Sequence, residues 1–376
     1  MDAGDGPAWR AIERAAGQAA GAAAVVVDDV PLVHTAQFAA ASGPLDRQVA
    51  DAVAQLRTAL DSLASGLDRI VRLHVCAATD EAAAAALPLL EAALPAGHRP
   101  AITCVVGSLP NPGCLVALDA VATSTQPARE VTGTAAGRIL PPGTRIFVSG
   151  QAKEADSVAE ATRRTLEGLG ATLDFLGRPR ADVVQYKAFI APAAEADAVR
   201  REIAAFHGAG PVPPVVIVEW KSAARLPVEI ELVAWGGPAA APAGPEFLTP
   251  PGMTASPIYC RVVRVAAPRM IYVGGLAAAR AGDPADRETA EREVRTVLDR
   301  LGEVLQAGGS DLRHLVKATY YVSTEATSAA LNAVRPSVYD PARPPAASKA
   351  MVPGIGRPDS GLVLDMIAVP AGKGSP

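Results

Sequence analysis

A pattern of strand, helix and strand is written three times along the 376-residue chain, and this repeat limits the folds that the chain can adopt. Each copy closes on a similar apolar strand that carries one acid. The three closing strands are LVALDAVA (115–122), VEIELVAW (228–235) and LVLDMIAV (362–369). The repeat unit, rather than any single motif, therefore predicts the architecture and indicates where a site could lie.

Each copy also opens on a short apolar strand, with a small or hydroxylated residue at one position. The opening strands are PLVHTAQF (31–38), RIFVSGQA (145–152) and MIYVGGLA (270–277), and the residues at that position are Thr35, Ser149 and Gly274. A long helix with one apolar face follows in every copy, as Leu166, Leu169 and Leu173 show in the second. A helix with one apolar face is expected to lie on a sheet.

A second strand and a shorter helix complete each copy. The second strands are DRIVRLHVCAA, ADVVQYKAFIA and RHLVKATYYVS, rich in β-branched and aromatic residues. The shorter helices are predicted over 80–94, 193–206 and about 324–338. The segments 122–135 and 236–256, rich in proline, glycine and small residues, are predicted linkers. These patterns predict three α+β domains, at 1–127 (the most diverged), 128–240 and 252–376.

Composition excludes several classes of protein. No apolar run approaches the about 18 residues that a membrane span needs, and the first residues lack the basic and apolar regions of a secretory signal. We therefore expect a cytoplasmic protein. The four cysteines form no C-x-x-C pair and the five histidines have no metal-ligand spacing, so neither zinc nor a disulfide is expected.

The charge balance bears on the partners of the chain. With 35 basic residues, 39 acidic residues and 4% aromatics, the chain has neither the basic stripe nor the stacking platforms of a nucleic-acid-binding protein. A small molecule is the expected partner. It can be acidic, because a local pocket can be positive on a negative protein.

The order of these motifs resembles the Rid family (reactive intermediate deaminases, YjgF-type). The resemblance rests on RIFVSGQA, DVVQYKAFI, PPVV and ARLPVEIELVA in the second copy and on HLVKATYYVS, LNAV and DMIAV in the third. It implies three tandem YjgF/chorismate-mutase-like domains, each a mixed sheet with two helices. They would form a single-chain pseudo-trimer around a central barrel, with ligand clefts between neighbouring copies and further assembly left open.

The resemblance also implies a hydrolase that deaminates small imines or enamines without a cofactor. Such chemistry needs a cation for the substrate carboxylate and a carboxylate that positions water. The family's anchoring arginine is replaced by Ile102 in the first copy, by residues 216–218 in the second and by Ser348 in the third, where Lys349 follows. The family's glutamate is present in the second copy alone, as Glu229.

These replacements predict one composite cleft, shared by the second and third copies. The predicted catalytic residues are Glu229 and Ser149. The predicted substrate-binding residues are Lys349, Ser348, Asn332 and Tyr259.

Each candidate has a structural alternative. Lys349 can be a solvated lysine at a strand edge, and Glu229, which alternates with Ile230, can simply face water. Ser149 can be a small residue that allows close strand packing, and Asn332 a surface amide. The repeated acids, Asp119, Glu231 and Asp365, are expected to serve the sheets by pairing with strand lysines such as Lys187 or Lys317.

The function therefore has three hypotheses at this level, and whether the chain is an enzyme is open. The first is the Rid-like hydrolase. The second is a non-catalytic metabolite-binding or regulatory protein with degenerate clefts, which the missing arginine favours. The third is another hydrolysis on the same scaffold, as in the chorismatases, for which no specific motif is present.

Overall fold

The computed structural model describes residues 7–14, 20–222 and 226–372. Its strands are β1 Trp9–Ile12, β2 Ala24–Asp28, β3 Leu32–Thr35, β4 Phe38–Ala39, β5 Ile70–Ala77, β6 Ala101–Val106, β7 Val116–Thr123, β8 Thr132–Thr134, β9 Gly137–Leu140, β10 Thr144–Ala152, β11 Val183–Ile190, β12 Val215–Glu219, β13 Val228–Gly237, β14 Ala243–Leu248, β15 Val262–Ala266, β16 Arg269–Leu276, β17 Leu315–Val322, β18 Ala346–Met351 and β19 Leu362–Ala368. Its α-helices are α1 Leu45–Asp61, α2 Asp80–Ala93, α3 Val158–Phe175, α4 Ala196–His207, α5 Arg287–Ala307 and α6 Glu325–Val334.

Most of these helices begin at a polar residue whose side chain accepts a backbone N–H of the first turn. The capping residues are Thr79, Ser157, Asp286 and Thr324. Such caps satisfy a donor that the helix itself leaves unpaired. The predicted apolar faces are the buried faces; Leu166, Leu169 and Leu173 of α3 are at most 1% exposed. Burying each of these side chains contributes about 1.5–3 kcal/mol.

The strands form three mixed sheets. The first sheet has the order β6-β5-β7-β3-β9-β8, with β4 also paired to β7; the second is β12-β11-β13-β10-β15-β14; the third is β1-β2-β16-β19-β17-β18. In every sheet the second strand of a copy pairs antiparallel with the closing strand, as β11 does with β13. An edge strand, such as β12, pairs parallel with the other side of that second strand. With two helices beside each sheet, the architecture is α+β, as predicted.

Strand pairing does not follow chain order. The strand that precedes each opening strand pairs with the opening strand of another copy, as β9 pairs with β3, β15 with β10 and β2 with β16. The strands at 132–140 therefore complete the first sheet, although they fall in the segment predicted as the second repeat. The N-terminal strands β1 and β2 complete the third sheet.

The apolar interior consists of two kinds of cluster. Three clusters lie between one sheet and its own helices. Two more are shared by all three sheets; Val71, Val184 and Val316, at equivalent places in β5, β11 and β17, belong to one of them, and Cys76, Phe189 and Tyr321 to the other. The three units are thus packed against each other through buried apolar side chains.

A closed central barrel is not found, which corrects the prediction. Each sheet keeps its own edge strands, and within the described ranges the contacts between sheet edges include only isolated bridges such as Ala22–Ala101 and Cys260–Ala346. A barrel requires a continuous hydrogen-bonded ladder around its circumference. Single bridges do not supply one.

Two further predictions differ from the structure. The predicted linker 236–256 contains β14, which is hydrogen-bonded to β15, so pairing with a distant strand overrides its proline-rich and glycine-rich composition. In the first copy the predicted register is displaced by one residue. Val33 and Ile146 face equivalent alanines of the closing strands, which places Ala36, not Thr35, at the position of Ser149. No helix in the described part of the chain is long and apolar enough to span a membrane.

Candidate active site between the second and third sheets

A buried cluster of charged side chains lies where the three sheets meet. Lys317 donates to Glu231 at 2.6 Å, and Lys187 lies 3.8 Å from Glu231 and 3.7 Å from Asp365. The guanidinium of Arg72 pairs with Asp365, with its Nε at 2.9 Å from the carboxylate. The predicted pairing of the repeated acids with strand lysines is thus confirmed for Glu231 and Asp365.

The third repeated acid has different partners. Asp119 accepts from His74 at 2.8 Å and lies 3.6 Å from Arg72. Burial alone would raise the pKa of Asp119, but His74 and Arg72 outweigh it and lower the pKa. Burial likewise opposes ionisation of Glu231, and Lys317 and Lys187 reverse its effect, so the pKa of Glu231 is also lowered. The cluster is therefore a set of compensated charges that holds the sheets together.

A cavity of about 30 Å³ lies inside this cluster, lined among others by His34, Arg72, Gln185 and Lys317. Its volume suits one or two water molecules, and its walls carry both polar and apolar side chains. It is too small for an organic substrate.

A second group of polar side chains lies where β10 and β13 of the second sheet meet β18 of the third. We call this group the 2–3 junction; its residues are Ser149, Gly150, Glu229, Ser348 and Lys349. The Gly150 N–H donates to Ser348 Oγ at 3.0 Å, and Ser348 Oγ donates to Glu231 Oε2 at 2.7 Å. Ser348 thus links the junction to the buried charged cluster.

Glu229 is the titratable group of the junction. Its carboxylate lies so close to Gly150 that a Cβ on that glycine would be 1.9 Å from Glu229 Oε1. Burial and then the charge of Glu231 raise the pKa of Glu229 from 4.5 to about 7, although Ser348, Arg261 and Lys317 act in the opposite direction. This partly buried carboxylate does not fit the alternative of a glutamate that simply faces water.

Ser149 lies beside Gly150 and is buried. Its Oγ has no hydrogen-bond partner among the described residues, whereas its backbone N–H donates to the carbonyl of Arg261 at 2.9 Å. A small residue for close packing would not need the hydroxyl. Since buried hydroxyl groups are usually satisfied, the unpartnered Oγ is a candidate contact for a bound molecule or water.

Lys349 extends to the opposite face of β18, toward α6. Its Nζ donates to Ser328 Oγ at 2.9 Å and to Asn332 Oδ1 at 3.2 Å. Burial and then the charge of Arg335 lower the pKa of Lys349, while Glu325 and Glu229 act to raise it. The structure thus brings Lys349 and Asn332 together. The Oδ1 of Asn332 accepts hydrogen bonds from both Lys349 and Arg335.

Tyr259 precedes β15, on the side of the junction formed by the second sheet. The guanidinium carbon of Arg261 lies 4.9 Å from the centre of the Tyr259 ring. Such a contact orients the cation without neutralising it. The charge of the same arginine lowers the pKa of Glu229, so Tyr259 contacts a residue that acts on the junction.

The equivalent residues of the other two junctions lack this chemistry. Ala117 and Val363 occupy the position of Glu229 in the first and third sheets. Thr103 repeats the role of Ser348, accepting from the Gly275 N–H at 3.0 Å, but Val216 stands at that position in the second sheet. The junctions share a framework and differ in their reactive groups.

Sequence reasoning missed Arg261, Ser328 and the Gly150 N–H as parts of the junction. Ser328 had a detectable signal, because it precedes Asn332 by four residues and so lies on the same face of a helix. Arg261 had none, because its approach to Glu229 depends on β15 joining the second sheet.

Histidine, cysteine and acidic side chains are the remaining candidates for metal or thiol chemistry in the described ranges. No group of three or more histidine, cysteine, aspartate or glutamate side chains there is arranged to hold a metal ion. All four cysteines are free and buried. Burial raises the pKa of Cys104 and Cys260 to about 12, so both are thiols at neutral pH.

The fold is α+β, with three sheet-and-helix units and a candidate site between two of them. Residues 253–369, which are less than half of the chain, match the family model described as endoribonuclease L-PSP. This segment is therefore a domain of the YjgF/Rid class. It contains Tyr259, Asn332, Ser348 and Lys349. No curated protein matches the chain.

Several solved structures are similar to parts of the chain. A Rid family protein of unknown function from Yersinia pestis is 23% identical over 34% of this chain and 99% of its own, with a TM-score of 0.30. A YjgF family member from Neisseria meningitidis is 21% identical over 34% and 95%, with a TM-score of 0.24. A chorismatase is 11% identical over 80% and 93%, with a TM-score of 0.27. These TM-scores are too low to support any inference about function.

Proposed function

We propose that the chain is a Rid-like hydrolase that deaminates small carboxylated imines or enamines at the 2–3 junction. The observation that carries this proposal is Glu229, a carboxyl whose pKa of about 7 suits a general base at neutral pH. The YjgF/Rid domain at 253–369 supports a small-molecule hydrolase or binding role in general terms.

In the proposed reaction, Glu229 accepts a proton from a water molecule as the water oxygen forms a bond to the imine carbon. The resulting carbinolamine passes its hydroxyl proton to the nitrogen, the carbon–nitrogen bond breaks, and ammonia leaves as the carbonyl forms. The ammonia takes the proton from Glu229 and departs as ammonium, which restores the carboxylate. An enamine first takes a proton on carbon to become the protonated imine. No cofactor is required, because a protonated imine is already electrophilic.

Two cations are proposed to hold the substrate carboxylate. Lys349 is bound by Ser328 and Asn332, which are neutral acceptors, so its charge is not cancelled. Arg261 stacks on Tyr259 on the other side of the junction. The Ser149 hydroxyl is proposed to bond the imine nitrogen or the attacking water, because it has no partner among the described residues.

The three units are further proposed to be a pseudo-trimer. Equivalent positions of the three closing strands send Asp119, Glu231 and Asp365 into one buried cluster, as expected for three copies around a common axis. An experimental structure in which the rotations between units differ clearly from a third of a turn would contradict this arrangement.

The activity is tested with freshly generated 2-iminobutyrate and 2-aminoacrylate. Purified protein is expected to accelerate release of the 2-oxo acid, and Glu229→Gln to lose most of that acceleration, while Glu167→Gln at an exposed position of α3 keeps it. Rates at background for both substrates would contradict the hydrolase. Ligand binding without turnover would then favour the non-catalytic, metabolite-binding alternative.

A further inference from the structure

A separate cavity of about 360 Å³ lies between β1, the C-terminal half of α5 and the loop that follows β18. We call it the arginine pocket. Its walls include Ile12, Arg14, Leu276, Arg300, Val304 and Arg357. It lies beside the junction of the third and first sheets, so it shares no residue with the 2–3 junction. Its volume is in the range of small-molecule sites.

The arginines of the pocket are held largely by groups that do not cancel their charge. Arg14 donates to the backbone carbonyls of Gly274 and Gly275, the latter at 3.3 Å, and its Nε has no partner among the described residues. Arg300 donates to the carbonyl of Ala277 at 2.7 Å. Carbonyls orient a guanidinium but leave its net charge in place.

The surrounding charges leave the pocket positive. Burial, followed by repulsion from Arg357 and Arg99, lowers the pKa of Arg14 to about 10, so it stays protonated at neutral pH. Two carboxylates also line the pocket, but Glu13 pairs with Arg99 at 3.4 Å and Glu303 is exposed. Arg357 forms an ion pair with Asp359 at 3.3 Å, but Asp359 does not line the pocket. The lining itself therefore carries three arginines and two glutamates, an excess of positive charge.

The rest of the lining is apolar. Ile12, Leu276 and Val304 contribute aliphatic side chains, and alanines fill most of the remaining wall. A fully hydrated ion such as phosphate would gain nothing from these surfaces, whereas an aliphatic chain would be desolvated there.

We propose that the arginine pocket binds a small aliphatic carboxylate, with the arginines on the carboxylate and the aliphatic residues around its chain. The probes are butyrate, its uncharged analogue butyramide, and inorganic phosphate, titrated calorimetrically into the full-length protein. Saturable binding of butyrate is expected, with weaker binding of phosphate and none of butyramide. Absence of saturable butyrate binding, or equal binding of butyramide, overturns the proposal.

Variants locate the binding. Arg357→Gln is expected to weaken butyrate binding about tenfold, as for the loss of one hydrogen bond to a charged group. Glu303→Gln, which removes a rim carboxylate, is expected to strengthen it. Arg295→Gln on the exposed face of α5 is the matched control and should leave it unchanged. Binding that is indifferent to both Arg357→Gln and Glu303→Gln would place the ligand elsewhere and overturn the proposal.

A further control separates this pocket from the proposed active site. Lys349→Met removes a cation of the 2–3 junction and should leave butyrate binding in the arginine pocket intact. Butyrate binding that disappears in Lys349→Met would assign the ligand to the junction instead, and so refute the second site. Because the two sites share no residue, a failure of the deaminase proposal has no bearing on this result.

Discussion

Lys317 in β17 of the third sheet donates to Glu231 in β13 of the second sheet at 2.6 Å, although the two residues are 86 positions apart in the chain. Both side chains are buried. The pair therefore joins two units through a desolvated contact, and Ser348 connects it to the candidate active site.

Removing one member of this pair should destabilise the protein strongly. Lys317→Met would leave the Glu231 carboxylate buried with less compensation, at a cost of about 3–5 kcal/mol in the free energy of unfolding. Urea denaturation measures this cost, with Lys153→Met at an exposed position as the control. The double variant with Glu231→Met should recover part of the loss. A double variant as unstable as the single one would show that the pair does not act as a unit.

The pH dependence of stability should reveal Glu229. Its raised pKa means that the folded protein binds this proton more tightly than the unfolded chain. The associated stability is complete below pH 4.5 and is lost as the pH rises through about 7. At pH 8 the free energy of unfolding of Glu229→Gln should therefore exceed that of wild type by on the order of 2 kcal/mol. At pH 4 the difference between the two proteins should be smaller. A gain that is independent of pH would contradict the raised pKa.

The same group should set the rate profile of the proposed reaction. A general base works when deprotonated, so kcat/KM should rise with pH through about 7 in the wild type. Glu229→Gln should lower kcat by about a hundredfold and abolish this rise. Activity against pH, measured with short-lived imines generated in the cuvette, tests both. A rising limb that persists in the variant would assign it to another group.

Two serines of the junction should respond differently to truncation. Ser348→Ala removes the acceptor of the Gly150 N–H and a donor to Glu231. This loss should lower the free energy of unfolding by about 1–3 kcal/mol. Because Ser348 helps to lower the pKa of Glu229, the rising limb should also move to higher pH. Ser149→Ala removes a hydroxyl without a described partner, so stability should hold while kcat falls. Equal activity in Ser149→Ala and wild type would leave Ser149 a packing residue.

Acid should weaken the charged cluster through Asp365. Burial opposes its ionisation, but Arg72 and Lys187 hold the pKa of Asp365 far below its usual 3.8. The stability it contributes is therefore present above pH 3.8 and is lost only as the pH falls toward the lowered value. Asp365→Asn should be clearly less stable than wild type at pH 7, and the difference should shrink below pH 3.8. Thermal unfolding across that range measures it.

Lys349 should affect substrate affinity more than turnover. Lys349→Met removes a charge held by Ser328 and Asn332, so KM for a carboxylated imine should rise about tenfold with a smaller change in kcat. Lys153→Met is again the control. An unchanged KM would return Lys349 to the role of a strand-edge lysine.

Short-range patterns in the sequence were sufficient for the long helices and the closing strands. The apolar faces of α1, α3 and α5 and the three closing strands were predictable because their periodicities are local. Repetition of the acids Asp119, Glu231 and Asp365 in the closing strands also indicated a structural ion-pair network. A buried acid needs a partner, and the second strand of every copy carries a basic residue.

What the sequence by itself determined was therefore the class of the fold, the recurring pattern of strands and helices, and the identity of the groups that could react. Tertiary structure alone decided which units exchange strands, since hydrogen bonding between β9 and β3 or β15 and β10 involves backbone groups common to every residue. It also decided the state of those reactive groups. The raised pKa of Glu229 and the buried, unpartnered hydroxyl of Ser149 both depend on desolvation by neighbours far away in the chain. Desolvation is a property of packing.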